Sequence, residues 1–390
     1  MPDILSPRDI LDRLVSFPTV SRDSNLELID WVRNYLEGFG VSSDLVFDPT
    51  GRKAGLFAQI GPSVPGGIIL SAHTDVVPVN GQEWASDPWT VTERGGKLYG
   101  RGTCDMKGFI AAVLANVPSM VEAKIARPVQ IALTRDEEIG CLGAPPLIKE
   151  MQEALPPASA VIVGEPTMMT VVTGHKGTLG YQVHCRGHEV HSSILHTGVS
   201  AVMSAAQIID WGNRMNNENF NSESSGYATM FDPPCTTVHA GLIEGGTAMN
   251  ITARDCRFCI DFRFLPSESA DSLDALFREF VAEVESACQK VRGNAWIRTE
   301  EIFRVPAMAP EPKGEAERLA RALTGDNGTR AVSYATEGGQ FQEAGNSVVV
   351  CGPGSIAQAH GADEFISSEQ LEAGSRFVRR LVESLSKRGM

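Results

Sequence analysis

Apolar positions recur along the chain at two spacings, and the order in which they alternate predicts an architecture. Leu26, Ile29, Val32, Leu36 and Phe39 fall on one stripe at helical spacing. Ser24 and Glu27, three apart just ahead of that stripe, have the form of a capping box that would open the helix. Short apolar runs follow, each ending in polar or glycine-rich residues. Ile68 to Leu70 runs into Ser71-Ala72-His73-Thr74-Asp75, and Val129 to Leu133 into Thr134-Arg135-Asp136-Glu137-Glu138. Ala160 to Val163 runs into Gly164-Glu165-Pro166, and Val348 to Val350 into Cys351-Gly352-Pro353-Gly354. A last helix carries Leu371, Phe377, Val378, Leu381, Val382 and Leu385 on one side. Short buried strands alternating with helices predict an α/β domain with a mostly parallel sheet flanked by helices. In such sheets ligands gather at the carboxyl ends of the strands.

From about residue 179 the texture changes. Tyr181 to Cys185 alternates, a helix-like stretch spans roughly 198 to 213, Phe258 to Phe264 alternates again, and a second helical stretch covers roughly 271 to 291. A chain of 390 residues exceeds one ordinary core. The expected layout is a larger domain of residues 1–178 and 292–390, with a smaller α+β domain of residues 179–291 inserted in it. No internal repeat or low-complexity linker interrupts this pattern.

Composition narrows the partners. With 42% hydrophobic and 21% charged residues, the chain has the balance of a soluble globular protein. A formal net charge of -14 repels phosphate backbones and anionic lipid, so neither nucleic acid nor a membrane is expected as a partner. No stretch approaches the roughly 18 to 20 apolar residues of a membrane helix. Met1-Pro2-Asp3-Ile4-Leu5 lacks the basic-then-apolar form of a secretory signal, and eight scattered cysteines read as reduced thiols. The expected location is cytoplasmic.

The candidate chemistry lies where apolar runs end. His73, Asp105, Glu138, Glu165 and His360 each follow such a run or sit in a glycine-rich segment, and together they form a donor set for zinc, cobalt or manganese. His73 and Asp75 lie two apart, so on an extended segment Asp75 faces the same way and is placed to orient the imidazole. Asp105 precedes an alanine-rich helical stretch, where one carboxylate could bridge two cations. Glu137 and Glu138 are adjacent, so their side chains diverge and one can ligate while the other handles protons. Two tempting motifs carry less: Cys256-Arg257-Phe258-Cys259 has no partner pair, and Gly100-Arg101-Gly102 lacks the third glycine of a dinucleotide fingerprint.

Taken together, Ser71 to Pro78, Gly100 to Gly108, Asp136 to Gly140, Gly164 to Thr167 and Ala359 to Glu364 resemble the aminoacylase/carboxypeptidase-G type of dinuclear metallohydrolase. The likeness spans essentially the whole chain, in that family's order and spacing. It implies two divalent metal ions, with Asp105 bridging them, His73 and Glu165 on one, and Glu138 and His360 on the other. It also implies Glu137 as general base. Arg186 to Ser193 resembles the family's Gly-x-x-x-His-Ser segment, which implies that His191 reaches an active site across a homodimer, the inserted domain serving as lid and dimerisation module. Met249-Asn250-Ile251 and Asp261-Phe262-Arg263 resemble segments supplying a substrate-contacting Asn250 and a carboxylate-binding Arg263, though either could be structural. Phe17 to Leu26, Glu138 to Ala144, Gly174 to Gly177, Thr336 to Phe341 and Val350 to His360 narrow the resemblance to the family's acetylornithine-deacetylating branch. That branch implies a small N-acyl amino acid as substrate, zinc or cobalt as metal, and Glu337 as contact for a cationic tail. Deacylation of other N-acyl amino acids or of succinyl-diaminopimelate stays open, as does a binding protein of the same fold without catalysis.

Overall fold

A computed structural model describes residues 3–386, and the chain divides into two compact units. The first comprises Met1–Gly174, Pro310–Arg330 and Thr336–Met390; the second comprises His175–Ala309 and Ala331–Ala335.

The first unit is built on a six-stranded sheet. Its strands are β1 (Ser43–Phe47), β2 (Ala54–Ile60), β3 (Gly67–His73), β4 (Val129–Thr134), β5 (Ala158–Pro166) and β6 (Val348–Gly352), in spatial order β1-β2-β4-β3-β5-β6. β4, β3, β5 and β6 run parallel, whereas β1 and β2 join the edge antiparallel. Every residue of β3, β4 and β6 is buried, as expected of parallel strands covered on both faces. At Gly352 a Cβ would lie 1.9 Å from the Gly164 carbonyl oxygen, so only glycine lets β6 come this close to β5 just ahead of Glu165.

Helices cover that sheet. α1 (Pro7–Val15) opens with Ser6 and Asp9 in a capping box and a proline in the first turn, and it buries Ile10, Leu11, Leu14 and Val15. α2 (Leu26–Gly38) buries Leu28, Ile29, Val32, Tyr35 and Leu36. The capping box expected from Ser24 and Glu27 does not form. Asn25 is the cap residue, and its amide is drawn inward: Nδ2 donates to the Ala54 carbonyl at 2.8 Å, and Oδ1 accepts from the Ala54 N–H at 3.0 Å. Docking onto β2 therefore displaces the local cap. α3 (Lys107–Ala115) is buried through its first eight residues, and α1 and α4 (Ser368–Leu385) pack against it.

The second unit is a four-stranded antiparallel sheet in the order Thr237–Gly245, Asp255–Phe264, Gly177–Arg186, Trp296–Val305. Alternate residues Leu179, Tyr181, Val183, Phe258, Ile260 and Phe262 form its core with residues of helices Ala201–Phe220 and Ala270–Val291. The unit continues past the expected end at 291, because Trp296–Val305 pairs with Gly177–Arg186 and completes the sheet. Cys256 is buried in that core, while Cys259, three positions on and so on the other face, is not. Among the described residues, no helix is long and apolar enough to cross a membrane.

Candidate metal centre

Because β3, β4 and β5 are neighbours and parallel, their carboxyl ends deliver His73, the Glu137–Glu138 pair and Glu165 to the same edge of the sheet. Asp105 enters from the segment before α3, and His360 from the loop after β6. Asp105 stands between two histidines, with Oδ1 3.1 Å from His73 Nε2 and Oδ2 3.3 Å from His360 Nε2. Glu165 Oε1 lies 3.6 Å from His73 Nε2, and Glu138 Oε2 lies 3.1 Å from His360 Nε2. Two donor groups gather with their ligand atoms within 4.8 Å: His73 with Glu137 and Glu165, and His73 with Asp105 and Glu138. His73, Asp105 and Glu165 are buried, and His360 is exposed.

Asp75 acts differently from the sequence expectation. The His73 ring meets the backbone carbonyl of Asp75, 2.9 Å from Nδ1, while the Asp75 carboxylate stands 3.7 Å off. That carboxylate accepts the Ser21 hydroxyl at 2.6 Å and the N–H groups of Glu137 and Glu138 at 3.2 and 3.3 Å. Beyond the end of β3 the chain turns, so the carbonyl serves the imidazole and the carboxylate fastens the acid pair. Glu337 also departs from expectation. It is 1% exposed, and its two oxygens accept hydroxyls from Ser71, at 2.9 Å, and Thr134. A carboxylate so enclosed ties the ends of β3 and β4 together and has no open face for a cationic tail.

The electrostatics of the cluster call for positive charge. Burial, the largest influence, raises Glu137 to about 8 against the pull of His73, with Glu138, Asp105 and Glu337 adding repulsion. Burial and then the Asp105 charge raise Glu138 and Glu165 in the same way. Burial would also raise Asp105, but hydrogen bonds from His360 and His73 prevail and hold it well below the usual carboxylate range. The hydrogen bonds to Asp105 and Glu138 lift His360 to about 10. Within this crowd Glu138 Oε1 is buried without a hydrogen-bond partner. An orphaned carboxylate oxygen amid imidazole and carboxylate donors, with no thiolate, fits a divalent cation. Glu137 differs from its neighbours: among the described residues its carboxylate accepts the Cys141 thiol, at 3.3 Å, and no hydrogen bond from an imidazole.

The other expected site residues belong to the second unit. His191 is exposed, and its Nδ1 accepts the Ser193 N–H at 3.2 Å, which places the neutral ring's proton on Nε2. Asn250 is drawn beside it, because Ser192 N–H donates to its carbonyl at 2.9 Å and His191 bridges Ile251. Arg263 is not part of this group. It lies at the far end of its strand, opposite Thr178, with Nε donating to Asp261 at 3.2 Å. Sequence reasoning passed over Arg101 and Glu364, both fully buried, although each lies inside a motif that drew attention for its neighbours.

The model of peptidase family M20/M25/M40 matches residues 69–384. The chain is 32% identical over 387 residues to the acetylornithine deacetylase of Myxococcus xanthus, covering 96% of each chain. Among solved structures it is similar to the M20 family metallo-carboxypeptidase Sso-CP2 from Sulfolobus solfataricus, at a TM-score of 0.77 and 17% identity, covering 98% of this chain and 99% of that one. It is also similar to a dinuclear metal-binding M20 peptidase from Bacillus subtilis, at a TM-score of 0.63 and 15% identity, covering 97% of both.

Since hydrogen bonds to Asp105 and Glu138 keep a proton on His360 near neutrality in the metal-free cluster, a cation must displace it to bind. Apparent affinity for zinc should therefore rise from pH 6 to 8, about tenfold per unit for each proton displaced. Calorimetry in buffers of different ionisation enthalpy measures that release, and pH-independent binding without it would contradict the assignment.

Proposed function

Because the chain belongs to peptidase family M20/M25/M40, whose members are dinuclear metal-dependent hydrolases of amide bonds, we propose that it cleaves N2-acetyl-L-ornithine to L-ornithine and acetate. The observation that carries the chemistry is the single Asp105 carboxylate shared between His73 and His360, with an uncommitted Glu137 alongside. Near full-length similarity to acetylornithine deacetylases supports the substrate.

In this reading Asp105, His73 and Glu165 would hold one ion, and Asp105, Glu138 and His360 the other, with zinc or cobalt proposed for each. Bound there, the two ions would lower the pKa of a water and polarise the acetyl carbonyl. Glu137 takes a proton from that water as its oxygen attacks the carbonyl carbon. The C–N bond then breaks, Glu137 returns the proton to the departing amine, and acetate keeps the water's oxygen. Asp75 holds the backbone of Glu137 and Glu138 so that one carboxylate can serve as base while its neighbour ligates. His191, with its proton on Nε2, would donate to the oxyanion of the tetrahedral intermediate. Arg263 would contact the amino acid through its α-carboxylate, while Asn250, which lies beside His191 and away from Arg263, would reach it together with His191 across the homodimer proposed below.

We further propose a homodimer formed through the second unit. Strand Thr237–Gly245 is a sheet edge with Leu242 and Ile243 70% and 57% exposed, an open template for pairing. Sedimentation equilibrium should give twice the chain mass, and a monomer at micromolar concentration would end this part of the reading. Eight unpaired thiols suit a cytoplasmic location, which cell fractionation checks.

Steady-state hydrolysis by the zinc- or cobalt-loaded protein tests the substrate. The kcat/KM for N2-acetyl-L-ornithine should exceed those for N-acetyl-L-methionine and N-succinyl-diaminopimelate by at least about tenfold, or ~1.4 kcal/mol, and chelator should abolish all three. Preference for another acyl amino acid would keep the mechanism and replace the substrate. Absence of metal-dependent turnover would favour the binding protein without catalysis.

Within the same assay Glu137→Gln should lose about 10²–10⁴-fold in kcat and His191→Ala about 10²–10³-fold, both with metal content intact. Near-normal turnover of metal-loaded Glu137→Gln would remove it as the base.

A further inference from the structure

Arg101 lies four residues before Asp105, and Glu364 lies four residues after His360. The two side chains meet in a buried ion pair at 2.7 Å, each 1% exposed. Buried pairs are weak devices for stability, since apolar residues of similar volume often serve as well. Their remaining bonds suggest another use. Glu364 Oε1 accepts the N–H groups of Cys104 and Asp105 at 2.8 and 3.0 Å, and Oε2 accepts the N–H of Gly102 at 3.0 Å. One carboxylate thus fixes three peptide groups of the segment that ends in Asp105.

The other end of the pair grips His360. That residue has φ 64°, a left-handed conformation costly for a residue with a side chain. Its carbonyl accepts from Gln82 Nε2 at 2.7 Å and faces Arg101 Nη2 at 3.4 Å. Arg101 Nη2 also donates to Gln82 Oε1 at 2.7 Å, and the guanidinium lies over the Trp84 ring, 5.1 Å from its centroid. The strained histidine is therefore held by its backbone, which leaves its ring free to face Asp105 and Glu138.

We propose that Glu364 and Arg101, with Gln82, are positioning residues that lock the Asp105 and His360 segments together and so set the ion site that Asp105 and His360 share. The inference rests on the metal-centre reading above. Neither charged residue touches substrate; both act through the backbone of the residues that would hold the ions. Displacements near 1 Å in such a site cost on the order of 10²-fold in rate, so a backbone lock is worth keeping even where it adds little stability.

Glu364→Gln tests this, because it keeps the shape while removing the charge and turning an amide NH₂ toward backbone N–H groups. Calorimetric titration with zinc alone should show the ion assigned to Asp105, Glu138 and His360 weakened about 10–100-fold, and the other, which shares only Asp105 with this lock, weakened less. On the loaded enzyme kcat should fall by a similar factor, with KM within about twofold of wild type. If both ions bind as before and kcat is retained while only Tm drops, the pair is structural and the proposal fails. Should Glu364→Gln not fold, Gln82→Ala removes the Nε2 donor to the His360 carbonyl and the Oε1 acceptor of Arg101 and Trp84 while leaving the Arg101–Glu364 pair in place; weakening of the same ion is expected, and unaltered affinity overturns the proposal. A wild-type protein that binds fewer than two ions would instead overturn the metal-centre reading itself, independently of either variant.

Discussion

Like charges repel, and the first unit gathers four carboxylates, Asp105, Glu137, Glu138 and Glu165, around two imidazoles, His73 buried and His360 exposed. Left alone the group takes up protons: burial and mutual repulsion lift three of the acids, and the histidines are lifted in turn by the acids they face. Such an arrangement costs free energy unless cations offset it. Everything around the cluster can be understood as what keeps those side chains from moving apart.

The sheet does the first part of that work. Parallel register of β3, β4 and β5 brings three donor-bearing strand ends to one edge, and glycine at 352 lets β6 close against the strand that carries Glu165. Buried carboxylates that do not ligate do the second part. Asp75 holds the peptide groups of Glu137 and Glu138, Glu337 joins Ser71 to Thr134 across β3 and β4, and Glu364 holds the peptide group of Asp105. Each adds a carboxyl group next to a cluster already rich in them. Their placement makes sense because a carboxylate can accept several donors at once, backbone N–H groups at Asp75 and Glu364 and hydroxyls at Glu337.

The second unit follows a different physical rule. Its antiparallel sheet has one apolar face covered by two helices and an edge strand left open, with His191 and Asn250 tied side by side in the segments beyond its strands. A hydrogen bond from the Ser193 peptide fixes which nitrogen of His191 donates, so its proton position is set locally by the chain around it.

Periodicity and residue type alone determined a good deal. Runs of apolar residues marked β3 to β6 and the helices from Leu26 and Ser368, and the residues ending those runs included His73, Glu137, Glu138 and Glu165. α1 was equally legible from its Ser6–Asp9 box and Pro7, but its short stripe escaped notice. Tertiary structure decided what periodicity cannot encode. Trp296–Val305 belongs to the second unit because of the strand it pairs with, and Asn25 leaves its helix cap because β2 offers its amide better bonds. Asp75, Glu337, Arg101 and Glu364 are carboxylates and a guanidinium whose roles depend on groups distant in sequence. Local pattern reports which face of an element is apolar; which backbone groups lie beside a buried charge is settled only when the chain has closed around it.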